Sequence, residues 1–462
     1  MASQRVPRRT FLRRAAVAGG AVALAGAGGF GLKELLDGSG RPFQDPTTLD
    51  TRWPIKRAVY VMLENRSFNH MFGRFPGARN VTLTGVRDGS EVPLTAAPEW
   101  LPGDLPHDRI AAVTDIHDGR MDGFADFDSS TIGFAYTVHD RDGIANWWHW
   151  AENFVLCDNF FSSANSASYP NHLYMIAGTS GGAFDNPGQS PEVLKIREDQ
   201  GLAKTWGCDA PPGAYVDIYS YETGEKLHGA RPCFTFDTQG QQLYRKQVDW
   251  AFYSADDTED GYIWNAYSAV DWVRNTHLWD EHVRDVDDLI GDVKANRLPA
   301  VTWVTPRYEF SDHPPYSTIW AQNWATELIS ALMQSPAWEH TAIFVTWDEW
   351  GGTYDPVEPP KLDELGLGIR VPMLVISPYA NRGMIDHELG EFTSPAKFIA
   401  DNWGLSHLTD RIANTHNFEH VFDFTRTRAN LLAPDPLPIL KPGPLPEKPP
   451  GDSIGWPPKI SY

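Results

Sequence analysis

Cysteine is scarce in this chain, with three in 462 residues. That excludes a disulfide-framework fold and any all-cysteine zinc site. Basic residues are also in short supply, 39 against 60 acidic ones, for a net charge of −21 and a pI near 5.1. So acidic a chain has little with which to neutralise phosphates along a duplex, which argues against nucleic acid as a partner. Tight electrostatic attachment to an anionic membrane face is disfavoured for the same reason. Internal repeats are absent. Aromatic residues are plentiful, with 18 Trp, 23 Phe and 16 Tyr in a chain that is 42% hydrophobic. A large buried core follows, and a mainly disordered chain is excluded. The length suits either two to three domains or one large α/β core with insertions.

The N-terminus departs from this composition. Arg8-Arg9-Thr10-Phe11-Leu12 is a twin-arginine pair followed by an apolar doublet, and an Ala/Gly-rich stretch runs from Ala15 to Leu32. The pattern predicts that residues 1–36 are an export signal read by the twin-arginine machinery. The alternative is a retained membrane anchor, for which the many Gly and Ala residues are poor material. Residues 1–36 carry a net charge of +5, so their removal takes the chain from −21 to −26. The expected location is extracytoplasmic: periplasmic, cell-surface or secreted. An oxidising destination permits a Cys208–Cys233 disulfide, with free buried thiols as the alternative. Cys157 reads as part of a buried strand.

Short apolar runs at 58–63, 300–304, 342–346 and 373–376 lack strict alternation, which suits strands covered on both faces of a parallel sheet. A helical pattern over 324–333 lies between the second and third runs and completes a strand–helix–strand unit. A second helix is expected over 395–403, stopping at Gly404. Residues 183–262, rich in Gly, Pro, Asp and Tyr, read as an inserted cap or lid outside the sheet. Residues 433–462 read as a Pro-rich extended tail, which leaves 37–432 as the main α/β domain.

Two of the predicted strands run directly into acids, Glu64-Asn65 after the first and Asp348-Glu349 after the third. Ligands of open α/β sheets gather beyond the carboxyl ends of strands. Three acids and an amide delivered there make an oxygen-rich site for a divalent cation. Ser168 precedes Pro170, at or just before a helix start. That position suits phosphate binding, although spacing alone favours an ordinary N-cap. Gly178-Thr179-Ser180-Gly181-Gly182 matches the nucleophile elbow of α/β-hydrolases, but a helix rather than a strand precedes it. His107 and His313 stand in loops where each could donate to a phosphoryl oxygen or a leaving group, or simply face solvent.

Together these segments resemble the bacterial phosphoesterase family of phospholipases C and related acid phosphatases. The resemblance rests on Glu64-Asn65-Arg66-Ser67-Phe68, Gly119-Arg120-Met121-Asp122-Gly123-Phe124, Pro170-Asn171-His172, Asp312-His313-Pro314-Pro315 and Asp348-Glu349-Trp350-Gly351-Gly352, in family order over roughly 55–425. It implies an alkaline-phosphatase-like core, a sheet with helices on both faces, and one divalent metal ion held by Glu64, Asn65, Asp348 and Glu349 with Ser168. Calcium, magnesium, manganese and zinc are equally compatible. It further implies Ser168 as nucleophile, with His107 and His313 as catalytic histidines. Three positions depart from the family pattern. Asp355 is followed by Pro356 where the family has a histidine, His172 stands where phospholipases often carry Arg, and Trp350 replaces a small or polar residue.

The implied reaction is hydrolysis of a phosphate ester through a phosphoserine. The expected substrate is a phospholipid head group reached by transient contact with a lipid surface, with phosphomonoesters as the alternative. A serine carboxylesterase using Ser180 and a non-catalytic surface protein are the readings from other classes. Trp350, expected at the pocket mouth, suggests a cation–π seat for choline. Trp147, Trp148, Trp150, Trp320 and Trp324 supply further rings that core packing also explains.

Overall fold

The computed structural model describes residues 44–101, 103–124 and 132–444. The twin-arginine segment and the end of the Pro-rich tail lie outside them. Eight strands form the central sheet: β1 (Arg57–Leu63), β2 (Val155–Cys157), β3 (Trp250–Ser254), β4 (Val283–Asp285), β5 (Val301–Val304), β6 (Thr341–Trp347), β7 (Met373–Ile376) and β8 (Met384–Asp386). Their order is β4-β3-β5-β1-β6-β7-β2-β8. Every neighbouring pair is parallel except those made by β7, which runs antiparallel to both β6 and β2. The chain is therefore α/β with a large, mostly parallel sheet.

The central strands form because β-branched and aromatic residues fit a pleated surface buried on both faces. All seven residues of β1 and all seven of β6 are buried. The run at 373–376 has the same composition, yet it is the antiparallel β7. Burial on both faces, which the composition reports, does not encode strand direction. The β1–β6 register pairs Leu63 with Trp347, so the acids that follow the two strands emerge side by side.

Four helices matter to the site: α1 (Phe68–Phe72), α2 (Ser168–Ala177), α3 (Thr318–Gln334) and α4 (Thr393–Trp403). Helix α3 connects β5 to β6 as expected but begins six residues before the predicted start. The Ser317 side chain caps it by accepting the Ile319 N–H. Helix α4 stops at Gly404, whose left-handed φ of 63° ends the turn.

The expected insert over 183–262 requires correction. Trp250–Ser254 is not part of a cap but the strand β3, paired with β4 and β5. The run Trp-Ala-Phe-Tyr-Ser is wholly buried, and its place between turn-rich segments hid it. Before it lie a short helix (Pro191–Asp199) and an antiparallel hairpin of Val216–Tyr219 with Lys226–Ala230. Cys208 and Cys233 are joined as a disulfide, and Cys157 is a free, buried thiol in β2. Residues 433–444 carry no helix or strand. Asn323 pins them through both directions of a backbone pair with Leu440, and Glu99 accepts from Gly443 N–H. No helix among the described residues is long and apolar enough to cross a membrane.

Candidate active site

The site is built where β1 and β6 end. Asp348 N–H donates to Leu63 O at 2.9 Å, continuing the β1–β6 pairing into the acidic residues. Asp348 Oδ1 then accepts from Asn65 N–H (3.0 Å) and Glu349 N–H (2.8 Å). Asn65 takes a left-handed φ of 64°, a conformation that Asn tolerates better than most residues. Gly351, at φ 61°, passes so close that a Cβ there would lie 2.3 Å from Asn65 O. Only glycine satisfies both requirements at that turn.

Helix α2 brings in Ser168 and, one turn later, His172 on the same face. Ala167, not Ser168, is the N-cap residue, and no side chain caps the helix. The Ser168 hydroxyl is thus free of the capping role that spacing alone favours, and it lies close enough to the Glu64 carboxyl to favour its charged form. Asn171 fixes the approach to the helix. Its Oδ1 accepts Ala164 N–H, and its Nδ2 donates to the carbonyls of Ala164, Ser166 and Ala167 at 3.0–3.2 Å. His172 Nε2 lies 2.8 Å from Glu64 Oε1 and 3.7 Å from Asp348 Oδ2.

Each metal-ligand candidate on the strand ends has one side-chain atom anchored and one oxygen left open. Glu64 uses Oε1 on His172, Asp348 uses Oδ1 on two backbone N–H groups, and Glu349 uses Oε2 on Gly351 N–H. Asn65 directs Nδ2 to the His107 ring. Glu64 Oε2, Asn65 Oδ1, Asp348 Oδ2 and Glu349 Oε1 remain buried without a hydrogen-bond partner. Burial, reinforced by the Asp348 charge, pushes the Glu64 carboxyl well above the usual range. Burial raises Glu349 likewise. Three buried carboxylates cannot remain ionised together without compensation, and open oxygens of this kind fit a divalent cation. Glu64, His172 and Asp348 each place one donor atom within 4.8 Å of the others. Burial lowers the His172 pKa to about 4, so its imidazole is neutral and can ligate or donate.

His107 and His313 face each other edge to face, with ring centroids 5.7 Å apart. His107 Nδ1 donates to Leu105 O (2.7 Å) and His313 Nδ1 to Pro314 O (2.6 Å), and His107 Nε2 lies 3.4 Å from Asn65 Nδ2. Burial opposes charge on both rings. Asp104 and Glu349 overcome it at His107, whose pKa rises to about 9, whereas burial prevails at His313, whose pKa falls. The His313 loop is tied to the segment after β1 by the buried Arg66–Asp312 ion pair (3.2 Å) and to β6 by Trp347 Nε1 donating to Asp312 Oδ2 (3.0 Å).

Trp350 is not at the pocket mouth. The indole is fully buried in a second apolar cluster with Leu105, Phe124, Tyr136 and Tyr354, and its Nε1 donates to Asp115 at 2.8 Å. The Gly351-Gly352 turn directs the side chain away from the cleft. Trp147, Trp148, Trp150 and Trp320 are buried too, and Trp324 packs partly buried on the main core. The choline seat built on Trp350 is therefore withdrawn. Trp350→Ala is expected to destabilise the protein by about 3–5 kcal/mol, the usual cost of emptying a buried aromatic site. Denaturant unfolding checks this, and equal effects on choline and non-choline substrates are expected.

Asp355 likewise turns from the site, both its oxygens accepting from Arg370 Nε (3.1 Å) and Oδ2 also from Asn69 N–H at the start of α1. Ser180 lies fully buried in the turn after α2, with no strand before it, so an exposed nucleophile elbow is not formed. The residue that sequence reasoning left without a role is His172. The signal was its spacing, four residues after Ser168.

The hemolytic phospholipase C of Pseudomonas aeruginosa is 24% identical over 500 residues, covering 93% of this chain and 63% of that protein. The chain thus spans less than two thirds of that relative's length. Phospholipase C A of Mycobacterium tuberculosis is 25% identical over 411 residues, 76% of this chain and 73% of that one. Among solved structures, an alkaline phosphatase superfamily protein from Vibrio parahaemolyticus overlaps with a TM-score of 0.35 at 10% identity, covering 80% of this chain and 71% of that one, too loosely to bear on the site. The phosphoesterase family model matches residues 55–406, a span that contains both acid-bearing strand ends, Ser168 and both facing histidines, and the chain belongs to that family.

Proposed function

We propose that the protein is a metal-dependent phosphoric ester hydrolase acting through a covalent intermediate on Ser168, of phospholipase C type. The observation that carries this reading is the set of open, buried oxygens on Glu64, Asn65, Asp348 and Glu349 beside the Ser168 hydroxyl. A divalent cation held there supplies Lewis-acid polarisation and charge neutralisation for a phosphoryl group. As the Ser168 oxygen bonds phosphorus, its proton passes to the neighbouring Glu64 carboxylate. The positive end of the α2 dipole favours phosphoryl oxygens there, although Pro170 has no N–H and the Tyr169 N–H is donated to Asn186 Oδ1. The cationic His107 donates through Nε2 to the departing alcohol oxygen, while the neutral His313, with its proton on Nδ1, presents Nε2 as an acceptor. A water then cleaves the Ser168–phosphorus bond, releasing the phosphorylated head group and restoring the hydroxyl. Asn171, Arg66 and Asp312 hold these groups in place and do not touch substrate.

The phosphodiester preference follows the phospholipases C among the relatives, with phosphomonoesters as the second substrate class. We further propose that residues 1–36 direct export and that the segment between α2 and β3 caps the cleft. Assay of metal-loaded protein on phosphatidylcholine, an aryl phosphodiester, an aryl phosphomonoester and an aryl acetate tests the reading. Diester turnover above monoester turnover, abolished by EDTA, is expected. Chelator-insensitive cleavage of the acetate alone would overturn it.

A further inference from the structure

At one edge of the sheet, Asp386 ends β8 beside two histidines of the segment that follows the short helix Asp410–Asn414. Asp386, His416 and His420 each place one donor atom within 4.8 Å of the others. His420 Nε2 lies 2.8 Å from Asp386 Oδ1, which alone would be an ordinary ion pair at a sheet edge. Two further observations exceed that reading. Asp386 is almost completely buried, and its Oδ2 has no hydrogen-bond partner. His416 Nε2 is also buried and unpartnered. The free thiol of Cys157, paired with Asp386 in the β2–β8 register, lies against the same carboxylate. A buried acid and a buried imidazole nitrogen left open in one place are what a cation would satisfy.

We propose that Asp386, His416 and His420 form a second metal site, selective for zinc-type cations and separate from the strand-end centre. Two imidazoles and a carboxylate, with a thiol adjacent, are ligands that favour zinc or cobalt over calcium or magnesium. The strand-end centre, dominated by oxygen, has the opposite bias. The partly exposed His420 ring gives an ion access from solvent. Binding through His416 Nε2 moves that ring's proton to Nδ1, and the long 3.3 Å contact from Phe418 N–H is the bond given up. The ion would tie the edge strand β8 to the loop carrying His416 and His420.

The test is metal content, which does not depend on turnover. The full chain is stripped with chelator, incubated with zinc in the presence of excess magnesium, dialysed, and assayed by elemental analysis. The His416→Ala/His420→Ala variant is expected to hold one zinc fewer per chain than the parent, while aryl phosphate turnover stays within about twofold. The single variant His420→Gln, altered at a partly exposed ring, provides the same comparison if the double variant does not fold. Equal zinc content in parent and His420→Gln, with equal affinity on titration, would overturn the proposal.

Discussion

Ser168→Ala is expected to lower kcat by about 10⁴–10⁶-fold, the scale seen when a nucleophile is removed and only binding and electrostatic stabilisation remain. The protein should be almost as stable as the parent, within about 1 kcal/mol, because Ser168 does not cap its helix. Bound metal should be retained, since Glu64, Asn65, Asp348 and Glu349 keep their open oxygens. Rate, melting temperature and metal content together separate loss of the nucleophile from loss of the site. A variant with near-parental kcat would remove Ser168 from the mechanism.

The second large effect is expected at the strand ends. Glu64→Gln and Asp348→Asn each replace an open carboxylate oxygen, and each side chain's anchoring partner is defined: His172 for Glu64, two backbone N–H groups for Asp348. Each should weaken metal binding and reduce kcat by about 10³-fold, comparable to losing one preorganised electrostatic stabiliser. In metal-free protein neither variant should melt below the parent, because each removes one of several crowded buried charges. Calorimetric metal titration alongside thermal melts checks both halves. Full metal affinity in the double variant would contradict the placement of the site.

The strands that build this site were legible because their β-branched and aromatic runs end abruptly in Glu64-Asn65 and Asp348-Glu349. The Leu63–Trp347 register that sets those acids side by side was not, since register is decided by pairing between segments far apart in sequence. Ser168 was legible as a helix-start residue, but spacing alone gave it the capping role that the backbone assigns to Ala167. His172 joins Ser168 only once the helix is known to begin at 168, which puts both on one face. Trp350 was misplaced for a local reason. A residue just past a strand end ordinarily faces the cleft, but the left-handed Gly351-Gly352 turn sends this indole to Asp115. Strand β3 was lost in its surroundings: five buried residues flanked by turn-rich sequence read as part of the insert. The direction of β7 could not be read at all, because a strand buried on both faces has the same composition either way.

The most direct test of the central claim is to trap the intermediate. Metal-loaded protein is mixed with an aryl phosphomonoester, quenched in acid during turnover, digested, and analysed by mass spectrometry. The account predicts one phosphoryl group on the peptide containing Ser168 and none after Ser168→Ala. A phosphoryl group on any other residue, or turnover with Ser168 unmodified under conditions that trap the intermediate, would contradict it.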